Sequence, residues 1–201
     1  MTIYFGGVLN QAGDPIGSST DTLSGYTVTV DPTASSYAVC PGAGSQLLVE
    51  LGAYVSLNVG SANIRIAIYD NATPSNLIAQ TGSLLFNNTS LAWVTGTSFF
   101  DASFNPITPV LTGGNFYLLI VTEQSAGNTI LFGESNETGT NNPYTTGNSL
   151  YSGYTSTLDI SGWSSDGEEV PAIRAGITSN TSTLIFPTDM TPGTSVAWRF
   201  K

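Results

Sequence analysis

Four aromatic side chains stand in a polar segment late in the chain and could form a binding surface. Residues 141–163 read NNPYTTGNSLYSGYTSTLDISGW, and their rings are those of Tyr144, Tyr151, Tyr154 and Trp163. Rigid aromatic faces stack on the apolar faces of sugar rings, while amides, carboxylates and backbone groups bond the sugar hydroxyls. The segment therefore predicts a carbohydrate-binding surface made by these four residues. The alternative is the ordinary patterning of a late strand in an all-β domain.

Two acidic stretches are the next candidates for chemistry. GESNET contains Glu134 and Glu137, and SSDGEEV contains Asp166, Glu168 and Glu169. A glycosidase needs two carboxyl groups that face each other across a sugar, and oxygen-rich loops can also hold calcium. Neither stretch has the ligand spacing of an EF-hand loop, which favours solvated turns. We therefore expect no catalytic residues and no metal site here.

The chain lacks the residues on which most enzyme classes depend. It has no histidine, which removes the usual general base and the commonest metal ligand. Cys40 is alone, so no intrachain disulfide or zinc cluster can form, and we interpret it as a small buried hydrophobe. No GxGxxG, Walker or nucleophile-elbow pattern occurs. The sequence predicts a protein that is not an enzyme and has no cofactor.

Charge excludes two kinds of partner. Only 9% of residues are charged, and the net charge is −10. The chain has four cationic residues, Arg65, Arg174, Arg199 and Lys201. Nucleic acid binding needs clustered Lys and Arg, and anionic membranes attract the same groups. No apolar run is long enough to span a bilayer, and the first residues do not resemble a signal peptide. We expect no nucleic acid partner and no membrane insertion.

Hydrophobic periodicity indicates strands rather than helices. In residues 47–58 the odd positions are apolar, which predicts one face in the core and the other largely in water. NIRIAIYD repeats this scheme, with its three isoleucines inward and Arg65 outward. Residues 116–121 are apolar at every position, which is typical of a central strand covered on both faces.

The fold expected from these patterns is all-β. Eight or more short strands with Gly, Pro and Asn turns predict an antiparallel β-sandwich of jelly-roll type. Residues 1–35 form an N-terminal arm or hairpin in this prediction, and residues 36–201 form the sandwich. Residues 179–201 supply a C-terminal strand that docks the end of the chain.

A family resemblance follows from several runs taken together: LGAYVSLNVGSANIRIAIYDNATPSNLIAQTGSLLF, the tryptophan at 93, and FDASFNPITPVLTGGNFYLLIV. Over about residues 45–178 the chain resembles a jelly-roll-like module of tailed-phage virion proteins and bacterial surface or secreted proteins. In such modules segments like NPYTTGN and SGW precede a last strand like PAIRAGI. The resemblance thus implies that Tyr151 and Trp163 cap the core while Tyr144 and Tyr154 cover turns.

Two functions are consistent with these observations. The first is a non-enzymatic virion structural protein of a tailed phage, a head decoration, fibre or tail-associated adhesion component. It would be displayed on the virion surface and docked through its arm or tail to other virion proteins and to copies of itself. The alternative is an extracellular carbohydrate-binding module, and a virion adhesin could also bind a host-surface glycan. A small glycoside hydrolase or lyase is the least favoured interpretation.

Overall fold

The chain forms short β-strands over most of the residues that the structure describes. A computed structural model describes residues 2–6, 25–28, 33–57, 60–123, 130–135, 142–145, 150, 153–166 and 170–179. No α-helix forms within these ranges. In chain order the strands are β1 (Ile3–Gly6), β2 (Gly25–Val28), β3 (Thr33–Val39), β4 (Gly44–Leu57), β5 (Ala62–Asp70), β6 (Ser75–Thr81), β7 (Leu84–Phe86), β8 (Ala92–Gly96), β9 (Phe99–Phe100), β10 (Pro106–Ile107), β11 (Val110–Gly113), β12 (Phe116–Glu123), β13 (Ile130–Ser135), β14 (Asn142–Thr145), β15 (Thr157–Leu158), β16 (Ser164–Asp166), β17 (Val170–Pro171) and β18 (Ile173–Ser179).

Strand β4 organises the first sheet. Its 14 residues pair with β18 and β13 along one edge and with β11 and β8 along the other. Strand β1 pairs with β18, while β2 and β17 pair with β13. All of these pairings are antiparallel. One long strand therefore connects most of the first sheet.

A β-bulge in β4 changes which of its residues face the core. The pairing with β18 shifts by one residue at Val49. An extra residue reverses the alternation of faces. The odd residues from 51 to 57 are buried in the core as the sequence predicts, but Leu48 is the buried residue before the bulge, and Leu47 and Val49 are only half-buried. The predicted inward position of Leu47 and Val49 is therefore wrong.

The second sheet packs face to face against the first. Its order is β10, β9, β6, β5, β12, β3, β14 and β16, with β15 beside β6 and β7 beside β5. The three isoleucines of β5 point inward and are fully buried, which confirms their predicted orientation. Apolar side chains of both sheets form the main core, including Leu51, Val55, Leu57, Ile64, Ile66, Ile68, Leu119, Val121, Ile173, Ala175 and Ile177.

A second cluster covers the opposite face of β5 and β12. We call it the outer core, and its buried members are Ala67, Tyr69, Leu118, Ile120, Leu150, Tyr154 and Leu158. Strand β12 is thus covered on both faces, as its unbroken apolar sequence predicts. Phe116 is the exception at the start of this strand, because 53% of its surface is exposed.

The described part of the N-terminal segment consists of sheet strands. Strand β1 lies beside β18, and β2 lies beside β13, so both belong to the first sheet. Strand β3 pairs along its length with β12 in the second sheet, and the boundary expected after residue 35 falls inside it. The division into an arm of residues 1–35 and a body of residues 36–201 stays a prediction.

The expected fold class is confirmed: the described chain is an all-β antiparallel sandwich of two sheets. The jelly-roll topology stays a prediction. Of the expected C-terminal strand, only Ser179 belongs to the described residues, where it ends β18.

Cys40 is buried, as expected, and its burial predicts low reactivity. Its side chain is 0% exposed, and burial raises the pKa of the thiol to about 11. Because the thiolate is the reactive form, we expect Ellman's reagent to leave Cys40 unmodified in the native protein and to titrate one thiol in denaturant. Rapid modification of the native protein would contradict this burial.

Candidate functional site

Tyr154, one of the four predicted carbohydrate-binding residues, lies inside the outer core. It is 2% exposed. Its hydroxyl lies 3.0 Å from the Arg65 carbonyl oxygen, 3.3 Å from that of Ile120 and 3.0 Å from Oγ1 of Thr122. It can donate to a carbonyl and accept from Thr122, and burial raises the pKa of the phenol. In this structure Tyr154 presents no face to a sugar, and it is a core residue rather than the cover of a turn.

The other three aromatic residues are less constrained. Trp163 is half-buried and packs against the outer core, as the alternative interpretation expects. Tyr144 lies in β14, opposite Ser164 of β16, and only its backbone is described. Tyr151 lies outside the described residues. The structure thus brings Tyr154 and Trp163 to one cluster, and carbohydrate binding by Tyr144 and Tyr151 stays a prediction.

The structure describes no side chain of the five acidic residues in the GESNET and SSDGEEV stretches. Glu134 lies in β13 of the first sheet and Asp166 in β16 of the second, and only their backbones are described. Glu137, Glu168 and Glu169 lie outside the described residues. Among the described side chains, no group of three or more His, Cys, Asp or Glu could hold a metal ion.

A clamp around Arg174 lies on the outer face of the first sheet, and sequence reasoning did not find it. We use the name Arg174 clamp for Tyr4, Glu50, Trp93 and Arg174. The guanidinium stacks between two rings, 4.2 Å from the centroid of Tyr4 and 4.0 Å from that of Trp93. Its Nε and Nη2 both donate to Oε1 of Glu50, at 3.1 and 3.0 Å. The clamp joins β1, β4, β8 and β18.

Arg65 has a different environment on the outer face of the second sheet. The sequence places it outward from the main core, which is correct, but it is only 8% exposed because other segments cover it. Its Nη1 lies 3.5 Å from Oε1 of Gln80, at the limit of a hydrogen bond. Its Nε is buried and has no hydrogen-bond acceptor among the residues described here. Burial lowers the pKa of this guanidinium, and the nearby Tyr154 partly offsets that effect.

A tight turn holds Phe104 over Arg65. The Phe104 ring centroid is 4.5 Å from Cζ of Arg65. Phe104 has a φ of 62°, a left-handed backbone that bulky residues rarely adopt. Asp101 fixes the turn, because its carboxylate accepts hydrogen bonds from the backbone N–H groups of Ser103 and Asn105 and from the Asn105 side chain.

The turn that the Asp101 carboxylate fixes predicts a loss of stability in acid. Hydrogen bonds from the side chain and backbone of Asn105 lower the pKa of Asp101 below its usual 3.8. A lowered folded-state pKa contributes stability that is complete above the unfolded-state pKa and is lost as pH falls through the folded-state value. We therefore expect the urea concentration at the unfolding midpoint to decrease when the pH is lowered below about 4. The decrease should be smaller in Asp101→Asn. An unchanged pH profile in that variant would contradict the role of the carboxylate.

The described surface includes two shallow grooves that bear on function. The first, about 500 Å³, is mainly apolar and lies between the start of β4 and residues 97–109. The second, about 550 Å³, lies where β5 ends and β12 begins, and Asp70, Asn71, Asn115 and Phe116 line it. No helix in the described part of the chain is long and apolar enough to cross a membrane.

The chain matches no family model and no curated protein sequence. The residues described above therefore carry the functional argument.

Proposed function

We propose that this chain is a non-enzymatic structural protein of a tailed-phage virion, displayed outward and docked through its arm or tail. The observation that carries the proposal is the packing of residues 150 and 153–163. Their apolar side chains cover the second sheet instead of lining a cleft. A sandwich closed in this way is suited to contact with other proteins through its surface. The proposal includes a jelly-roll topology for the sandwich.

Composition supports the same role. With a net charge of −10 and 9% charged residues, the solubility of the chain depends largely on uncharged polar groups. Such a surface gives little electrostatic attraction to nucleic acids. Repeated copies in a symmetric lattice would make homo-oligomers a natural state.

Self-association and particle composition test this proposal. We expect sedimentation equilibrium to show a discrete multiple of the 20.9 kDa monomer, and mass spectrometry to find the chain in purified phage particles. A chain that is monomeric at high concentration and absent from such particles would overturn the proposal.

A carbohydrate-binding module is the second candidate, and the groove between β5 and β12 favours it. Phe116 is 53% exposed there, and Asn71, Asn115 and Asp70 line the same groove. The Asp70 carboxylate also accepts hydrogen bonds from the backbone of Ala72 and from the backbone and side chain of Asn76. An exposed ring with amides and a carboxylate is the combination that sugar recognition uses.

A glycan array separates the two candidates. If the groove binds a glycan, Phe116→Ala should abolish the signal, whereas Leu85→Ala, which removes a side chain that is 71% exposed elsewhere, should retain it. Tyr144→Ala and Trp163→Ala test the aromatic segment in the same assay. An array without any hit, together with stable self-association, favours the structural role.

A further inference from the structure

Arg65 carries its positive charge in an unusual environment for this chain. The chain has 14 Asp and Glu residues, and the other described arginine, Arg174, pairs with Glu50. Arg65 is more buried than most cations in proteins, yet it forms no ion pair with any side chain in the described part of the chain. Burying a charge without an ionic partner is costly. The fold therefore buries the Arg65 charge at a cost in free energy, although the chain has many carboxylates that could pair with it.

One buried donor of the Arg65 guanidinium, Nε, has no acceptor among the described residues. Its Nη1 faces Oε1 of Gln80. Gly153 packs against the same nitrogen so closely that an added Cβ would lie 3.1 Å from it. Nε and Nη2 form the side-on edge of a guanidinium, which matches the two oxygens of a carboxylate.

Phe104 supplies a second observation at the same place. Its ring lies over the Arg65 guanidinium and is 43% exposed, so the same side chain contacts both Arg65 and the surroundings of the protein. The turn keeps the ring there at the cost of an unfavourable φ of 62°. Strained, exposed residues concentrate at binding sites. Asp101, the acidic group of this turn, directs its carboxylate at N–H groups within the turn.

We propose that Arg65 and Phe104 form a subsite for a carboxylate, which accepts hydrogen bonds from Nε and Nη2 of Arg65 while Phe104 packs on the carbon skeleton that bears it. A carboxylate places two coplanar oxygens that match this pair of N–H groups, whereas a tetrahedral anion does not. The carboxylate can come from a free organic acid or from an acidic sugar. This inference does not depend on a virion role.

Thermal unfolding of the whole chain with added anions tests the subsite. A ligand that binds only the folded state raises the unfolding midpoint, by roughly 3–5 °C at ten times its Kd for a chain of this size. We expect sodium acetate and sodium glucuronate to give this shift at constant ionic strength, and chloride and sulfate to give none. A larger response to glucuronate identifies an acidic sugar, and equal responses identify a free acid.

Variants separate binding from a purely structural role. Arg65→Met should abolish the shift and leave the midpoint without ligand unchanged or higher, because it removes a buried charge. Arg174→Lys, a control substitution at the other described arginine, should keep the response. Phe104→Asn relieves the left-handed backbone and should weaken the acetate and glucuronate responses without loss of the fold.

Three results would overturn the proposal. The first is an equal shift with sulfate or chloride. The second is a response that persists in Arg65→Met or, should that variant not fold, in Phe104→Asn. The third is stabilisation that depends on protein concentration alone, which would assign the partner carboxylate to a second copy of the chain. None of these results bears on whether the chain occurs in phage particles.

Discussion

Replacing Tyr154 by alanine is expected to lower the free energy of unfolding by about 3–5 kcal/mol, the usual cost of removing a buried aromatic side chain. The ring fills the outer core beside Tyr69, with centroids 6.2 Å apart and an edge-on arrangement. The change also removes the hydroxyl that contacts two carbonyl oxygens and Thr122. Urea unfolding followed by circular dichroism measures the effect.

Two further variants make the Tyr154 experiment decisive. Tyr154→Phe keeps the ring and should cost about 1–3 kcal/mol, because buried partners of the hydroxyl lose their hydrogen bonds. Phe116→Ala is the control, since this ring is largely exposed and its loss should change stability by no more than about 0.5 kcal/mol. A stable Tyr154→Ala protein that had lost glycan binding would instead make Tyr154 a binding residue.

Replacing Arg174 by alanine is expected to cost about 2–3 kcal/mol. The change removes two cation–π contacts and leaves Glu50 without this partner on a surface where the two side chains are only 13% and 18% exposed. The value is set below that of a fully buried pair, because both groups keep some access to water. Strand β1 should loosen most, since Tyr4 connects it to the clamp.

Hydrogen exchange measures the local part of that effect. Arg174→Ala should speed exchange of the amides in Ile3–Gly6 more than in β12, and Arg174→Lys should retain part of the protection. A double-mutant cycle with Trp93→Ala isolates the stacking energy. Uniformly faster exchange across both sheets would mean that the clamp stabilises the whole fold rather than the attachment of β1.

Periodicity in the sequence identifies faces, but it does not identify what covers them. The isoleucines of β5 are correctly predicted because their alternation has no interruption, and β12 is correctly predicted because its sequence is apolar on both faces. Strand β4 differs, since no residue type marks the bulge at Val49, and the pairing shift involves β18, which is distant in the chain. The prediction therefore fails before the bulge and succeeds after it.

The environments of Arg65 and Tyr154 were less predictable, because they too depend on segments that are distant in the chain. Arg65 is on the predicted face, but its burial arises from Phe104 and residues 153–154, whose approach depends on the tertiary fold. Tyr154 lies in a segment rich in Gly, Ser and Thr, which resembles an exposed loop. Its three buried contacts belong to strands β5 and β12. Sequence neighbours alone could not reveal them.

The pairing of β4 with β18 has a consequence for synthesis on the ribosome. Glu50 and Arg174 are 124 positions apart, and translation at about 5–20 residues per second separates their emergence by roughly 6–25 s. During that interval, much of one edge of β4 has unpaired backbone N–H and C=O groups. These groups can pair with strands of neighbouring nascent chains on a polysome. Slower initiation, which spaces ribosomes farther apart on the message, should therefore raise the yield of correctly folded protein.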